Sequence, residues 1–353
     1  MAGALVILPA PRPASAQEPT QDLVFFFSAS HSNFYEISDD RFEEFESVPT
    51  MDLIFSRSKE KRRLMIEALV NDEEAELERF HFGWQLSEDT RVLLGRFHHS
   101  ATFWNTLYHH GAYLQQSITR PSIEEFEDFG GILPTHITGV LLEQRETFDS
   151  GSALELSFSA GLSTRFDGTQ LEPFDLLSPD TGHEPGVNAR IAFLPDSLGE
   201  SRIVVSFGKH NMPIDMTAPM QEFRDPAANE IELETVGLSG FWSGARWRLL
   251  GSSTSVSATA RGGIDGSNHD FVATYLQTEF DLNDKLTFHV RSEHTSGDET
   301  YPNLFYQYVR RQAVGGVRWN FAPNHALTFE ITNGDSRNDH FHRASVQWSY
   351  VLR

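Results

Sequence analysis

The sequence predicts an all-β fold: a transmembrane, up-and-down antiparallel β-barrel of about sixteen strands. Three observations carry this. Apolar and polar residues alternate with a period of two along most of the chain, and helical periodicity is scarce. Short turns alternate with long polar connections, a regularity that a barrel in a membrane requires and a soluble sandwich does not. No run approaches the roughly 18 apolar residues of a membrane-spanning helix, yet aromatics reach 12% of the 353 residues, 28 of them Phe. In a barrel strand only every second residue has to be apolar.

Composition narrows the class further. There is no cysteine, so disulfides and thiolate metal sites are excluded. Lys and Arg total 28 against 50 Asp and Glu, a formal charge of −22, which argues against nucleic acid as a partner. At the N-terminus, "MAGALVILPAPRPASAQEP" has a short apolar stretch, Ala4 to Leu8, and ends in Ala14-Ser15-Ala16, the form of a secretory cleavage site. Residues 1–16 are therefore expected to be the remnant of a signal peptide. Residues 17–353 are the expected barrel, exported through the periplasm to the outer membrane.

The strands can be followed in order. "MDLIFSRSKEKRRLMIEALV" reads as a strand pair joined by a basic turn, Arg57 to Arg63. Later hairpins turn at Ser87 to Thr90, near Asp149-Ser150-Gly151, at Pro195 to Glu200, near Ser243-Gly244, at Asn283-Asp284 and at Pro323-Asn324. Around Asn283-Asp284, Leu276, Phe280 and Leu282 are answered by Leu286, Phe288 and Val290. The last strand puts Ala344, Val346, Trp348, Tyr350 and Leu352 on one face. The opposite connections, 32–49, 98–135, 164–186, 209–229, 252–269, 295–308 and 333–342, are long and polar, with one short one at Asn71 to Glu76. An even strand number brings both termini to the short-turn side. In hydrocarbon every backbone polar group must be paired, so the sheet must close on itself. A ring of about sixteen strands encloses water.

The chain resembles the general porins of Gram-negative bacteria in strand number, aromatic-rich last strand and oversized third loop. Residues 94–143, "LGRFHHSATFWNTLYHHGAYLQQSITRPSIEEFEDFGGILPTHITGVLLE", also resemble a block found in uncharacterised bacterial porin-like proteins. The chain departs from such barrels in ending Leu352-Arg353 rather than on an aromatic residue. The resemblance implies that the loop 98–135, between strands 5 and 6, folds inward and narrows the lumen. It also implies a possible homotrimer, with outer-membrane lipid and lipopolysaccharide as surroundings and small hydrophilic solutes or ions as cargo.

Within that loop, Glu124, Glu125, Glu127 and Asp128 form an acidic stretch, and Trp104, Asn105, Tyr108 and Tyr113 are candidate anchors against the inner wall. Inward positions taken from the alternation hold Arg79, Arg96, Arg190, Arg202, Arg246, Arg248, Arg291, Arg310 and Arg318. On the lipid face an arginine costs about 2–4 kcal/mol near the midplane. An acidic loop facing a basic wall would set a transverse field across the gap. The same arginines could instead pair with inward acids such as Glu279, Glu293 and Glu330 and hold the wall rigid.

Four histidines, His98, His99, His109 and His110, are candidates for metal ligands. Adjacent residues on a strand point to opposite faces, so at most one of each pair converges easily. The reading that follows is a passive diffusion channel without cofactor or enzymatic activity. The alternatives are a barrel sleeve for a partner such as an electron-transfer cytochrome, or a metal-binding or enzymatic barrel. No G-x-S-x-G elbow supports the enzyme. The net charge favours cations, and the arginine wall pushes the other way.

Overall fold

The computed structural model describes residues 20–36, 44–72, 75–99, 101, 103–108, 113–127, 131–167, 170–179, 181–215, 228–262, 268–297, 309–336 and 340–353. The expected signal remnant, His109, His110 and Asp128 lie outside the described residues.

Sixteen antiparallel strands close into one barrel. They begin with β1 (Thr20–Glu36), β2 (Glu44–Lys59), β3 (Arg62–Val70), β4 (Ala75–Gln85), β5 (Thr90–His98), β6 (His136–Thr147) and β7 (Ala153–Leu162). A two-strand ribbon of β8 (Arg165–Phe166) and β9 (Leu171–Glu172) interrupts the next connection. The ring resumes with β10 (Pro185–Leu194), β11 (Arg202–Pro213), β12 (Glu230–Ser243), β13 (Trp247–Arg261) and β14 (Asn268–Asn283). It ends with β15 (Leu286–Gly297), β16 (Val309–Ala322), β17 (His325–Ser336) and β18 (His340–Leu352). Along the ring each strand pairs with the next in sequence, and β1 pairs with β18 from Phe25↔Leu352 to Glu36↔Phe341. The seam leaves no open edge, so the ladder pairs backbone groups all round. Among the described residues no helix is long and apolar enough to cross a membrane.

Burial follows the alternation. On β12, Val236, Leu238 and Trp242 are exposed on the outer face while Thr235, Ser239 and Phe241 are buried inside. Outward aromatics gather beside the short turns: Trp84, Trp242, Trp247, Trp319 and Trp348, with Phe321 and Phe193. Their amphipathic rings suit a membrane–water boundary, and they form a girdle at the end where the termini lie. The turns fall close to the predicted places. Asn324 takes a left-handed φ of 63°, which asparagine tolerates. The basic turn shrinks to Glu60 and Lys61, with Arg57, Arg62 and Arg63 on strands.

On the opposite side, several segments expected as loops are strand. β13 runs to Arg261 and β17 to Ser336, so the connections beyond them are shorter than expected. In "SSTSVSATAR" (252–261) the outward positions are Ser253, Ser255 and Ser257. Small polar residues hide the period, although the ladder continues, for example at Ser257↔Glu234. The lumen differs too. Inward positions on β10 to β14 mix polar residues, such as Asn188, His210, Thr254 and Gln277, with apolar ones, of which Leu194, Met212, Ile231, Leu233, Leu250 and Phe271 are buried. They form one cluster with Phe103, Trp104, Ile123, Ile132 and Leu133 of the loop between β5 and β6. These apolar positions of the inner wall are covered by chain rather than water.

Candidate functional site

The connection between β5 and β6 contains a short helix, α1 (Phe103–Tyr108), and a 3-10 turn at Ser122–Glu124. Before it, Gly95 has φ +137°, and a Cβ there would meet the Phe80 carbonyl oxygen at 2.1 Å. Only glycine lets β4 and β5 approach so closely at the stem of the loop.

The loop crosses the barrel. Stepping from β5 through β6, β7, β10, β11, β12, β13 and β14 reaches β15 on the eighth step, half-way round the ring of sixteen. There the wall grips the loop. Arg291 on β15 is fully buried. Its Nη1 donates to the Thr119 carbonyl (2.8 Å) and to Gln277 Oε1 (3.1 Å). Its Nη2 donates to the Arg120 carbonyl and to Thr119 Oγ1, each at 2.8 Å. Its Nε donates to Glu293 Oε1 at 2.6 Å. Glu330 on β17 accepts from the backbone N–H of Ile118 (2.9 Å) and of Thr119 (3.1 Å). Glu293 accepts from Ser122 N–H (2.8 Å) and Oγ (2.7 Å). Arg318 on β16 donates to the carbonyls of Gln115 (2.7 Å) and Tyr113 (2.8 Å).

The predicted anchors are engaged. Trp104 is fully buried, donates from Nε1 to Gln115 Oε1 at 3.0 Å and meets Tyr275 edge-on at 6.2 Å between ring centroids. Tyr108 packs on Trp104 at 4.8 Å, and Asn105 accepts from Arg120. The Arg318 guanidinium lies 4.9 Å above the Tyr113 ring.

The acidic stretch is arranged otherwise than expected. Glu124 is buried and accepts from Trp104 N–H (2.5 Å) and Tyr275 O–H (3.1 Å). Burial pushes its carboxyl up to about 7, against the opposing pull of those two donors and of Arg120. Burial also raises Glu125, which accepts from Phe126 N–H at 3.2 Å. Glu127 accepts from Thr135 N–H (2.8 Å) and bonds His136 Nδ1 (2.6 Å). These carboxylates knit the loop to itself, to its stem and to Tyr275. The wall arginines reach the loop through its backbone carbonyls.

Most of the predicted arginines point inward, paired. Arg79 meets Glu67, Arg190 has Glu155 at 3.7 Å, and Arg248 binds Glu279 and Asp281, both at 2.7 Å. Arg96 is buried and donates to the Phe174 carbonyl at 3.2 Å. Arg202 is half-buried and reaches the Glu200 carbonyl at 3.0 Å, and Arg310 is half-buried on β16. Arg246 is a correction: it is an exposed residue of the short turn between β12 and β13, one position before β13 begins. The turn takes Gly244 to Arg246 out of the strand pattern.

The adjacent histidines separate, as strand geometry requires. His98 lies opposite His136, their rings 4.8 Å apart. His99 turns to His210 at 5.7 Å, and burial holds its imidazole well below the usual range. Glu78, His98 and His136 bring one ligand atom each within 4.8 Å of one another. Sequence reading missed His136 and Glu78, and also Tyr275, Glu67 and Arg120. The pairing of the two loop stems was the available signal for His136. Glu78 owes its place to a register shift between β3 and β4 that no pattern announces.

No family model matches the chain, and no curated sequence matches it. Solved structures do. The anion-selective porin of Comamonas acidovorans superposes with a TM-score of 0.62 at 8% identity, covering 95% of this chain and 100% of that one. The outer-membrane channel DcaP of Acinetobacter baumannii gives 0.60 at 11% identity, covering 95% and 97%. OmpF of Salmonella typhi, solved with daunomycin, gives 0.60 at 12% identity, covering 94% and 97%. The chain has the barrel fold of outer-membrane porins.

Proposed function

We propose that this protein is a passive diffusion channel of the outer membrane for small hydrophilic solutes or ions, narrowed by residues 99–135. The observation that carries this reading is the loop strapped to the strand opposite its own stem, within a barrel whose remaining inner wall is charged and polar. That wall includes the half-buried Arg63 on β3, Arg91 on β5, Glu143 on β6 and Arg343 on β18. Wall arginines and acids fix the loop, and solute passes between the loop and the polar half. A sleeve for a partner protein needs a clear bore, which this loop crosses. No enzymatic role is part of this reading. The net charge of −22 favours cations. Assembly into a trimer belongs to the same proposal.

The test is single-channel recording in planar bilayers, comparing the whole protein with a variant in which a short turn replaces 99–135. The channel reading expects higher conductance from the variant. A wild type that never conducts, or a conductance indifferent to the deletion, sinks it. Reversal potentials in a salt gradient give the sign of selectivity, and anion preference would overturn that part.

A further inference from the structure

We propose that Glu78, His98 and His136 form a binding site for a divalent transition-metal cation, zinc by ligand chemistry, at the root of the loop. His98 is the last residue of β5 and His136 the first of β6, and they are directly paired across the ladder. Directly opposed residues present their side chains on the same face. Glu78 comes from β4, at the register shift where Glu67↔Arg79 is followed by Ala68↔Leu77. Such bulges re-aim a side chain out of the regular alternation.

The three residues are buried, and their ligand atoms lie within 4.8 Å of one another. His136 Nε2 is 2.8 Å from Glu78 Oε2, and its Nδ1 is 2.6 Å from Glu127 Oε1. A histidine bonded through one ring nitrogen to a carboxylate and presenting the other to a shared centre is the usual arrangement around a bound metal. Two imidazoles and one carboxylate suit zinc, whose bonds of about 2.0–2.2 Å require the three groups to draw together slightly, with water completing the shell. Arg79 follows Glu78 on β4, and Arg96 lies two residues before His98 on β5. The cation would tie three adjacent strands together where the loop leaves the wall, and the proposal is independent of what the channel conducts.

The experiment uses the full barrel, refolded without an affinity tag and stripped with chelator. Zinc binding is measured by calorimetry, and cobalt by its visible absorption. One site per chain is expected, weakened at least tenfold by Glu78→Gln and by His98→Asn, and unchanged by His325→Asn at a distant turn. Absence of binding to the wild type overturns the proposal. So does binding that survives the His98→Asn/His136→Asn double variant. Should those variants fail to fold, anomalous scattering from zinc-soaked wild-type crystals decides: a peak between the three residues supports the site, and peaks only elsewhere refute it.

Discussion

Glu124 is a carboxyl where the chain has no water to offer it. It sits between Trp104 N–H and the Tyr275 hydroxyl, with Arg120 near enough to favour its charge, and burial still pushes it up to about 7. The reference is the same carboxyl on an undocked loop, near its ordinary 4.5. The docked state therefore binds more protons between those two values. Docking is strongest below about 4.5 and weakens as pH rises toward 7, by roughly 3 kcal/mol in all. Channel noise from loop movement should accordingly grow between about pH 4.5 and 7, the window that shift defines, and Glu124→Gln should flatten the dependence. A wild-type record without pH dependence would show that Glu124 does not govern docking. The sequence presented Glu124, Glu125 and Glu127 as one acidic run, and nothing in it marked that Glu124 and Glu127 are sealed while Glu125 is half-buried. Burial of Glu124 depends on Tyr275, distant in sequence and brought there by barrel closure. Trp104 was legible because a tryptophan in a polar loop needs an apolar surface to cover it.

At the scale of the loop, one fully buried guanidinium gathers the fastening. All three Arg291 nitrogens have acceptors, two of them loop carbonyls, and Glu293 and Glu330 hold the neighbouring loop N–H groups. Arg291→Met keeps much of the side-chain length but leaves Glu293 without its ion pair and strands two carbonyls. Removing one partner of a buried pair costs about 3–5 kcal/mol. The expected result is a loop released from β15 with the barrel intact: higher, noisier conductance, rapid proteolysis within 113–127, and unchanged β-sheet circular dichroism. Glu330→Gln should give a weaker form of the same behaviour. The loop's length and position were readable, because a connection rich in Gly, Pro and His interrupts two clear periods. The grip was half readable. Pairing of the arginines with Glu279 and Glu293 follows from their shared inward face, whereas Glu330 meets His289 instead, and the arginines' use of loop carbonyls has no side-chain pattern to betray it.

The whole molecule turns on which face meets lipid. Strand number and most turns could be read because lipid demands apolar residues at every second position. Above the apolar band that demand lapses, and β13 and β17 ran on unseen through serine, threonine and asparagine. The apolar residues on the inner face of β10 to β14 have the converse reason: the loop's own apolar side chains cover them. A depth comparison on one strand tests the membrane reading directly. Leu276 and Leu282 both point outward from β14 and are similarly exposed, at 56% and 47%, but Leu276 is mid-strand and Leu282 borders the turn. If the outer face lies in hydrocarbon, Leu276→Arg should cost about 2–4 kcal/mol and Leu282→Arg about 0–1 kcal/mol. Reversible urea unfolding in lipid vesicles measures both. In a barrel surrounded by water the two substitutions would be equivalent and nearly neutral, since each merely exchanges one exposed side chain for another. Equal small costs would therefore remove the membrane from the argument and, with it, the reason for a hole through the middle.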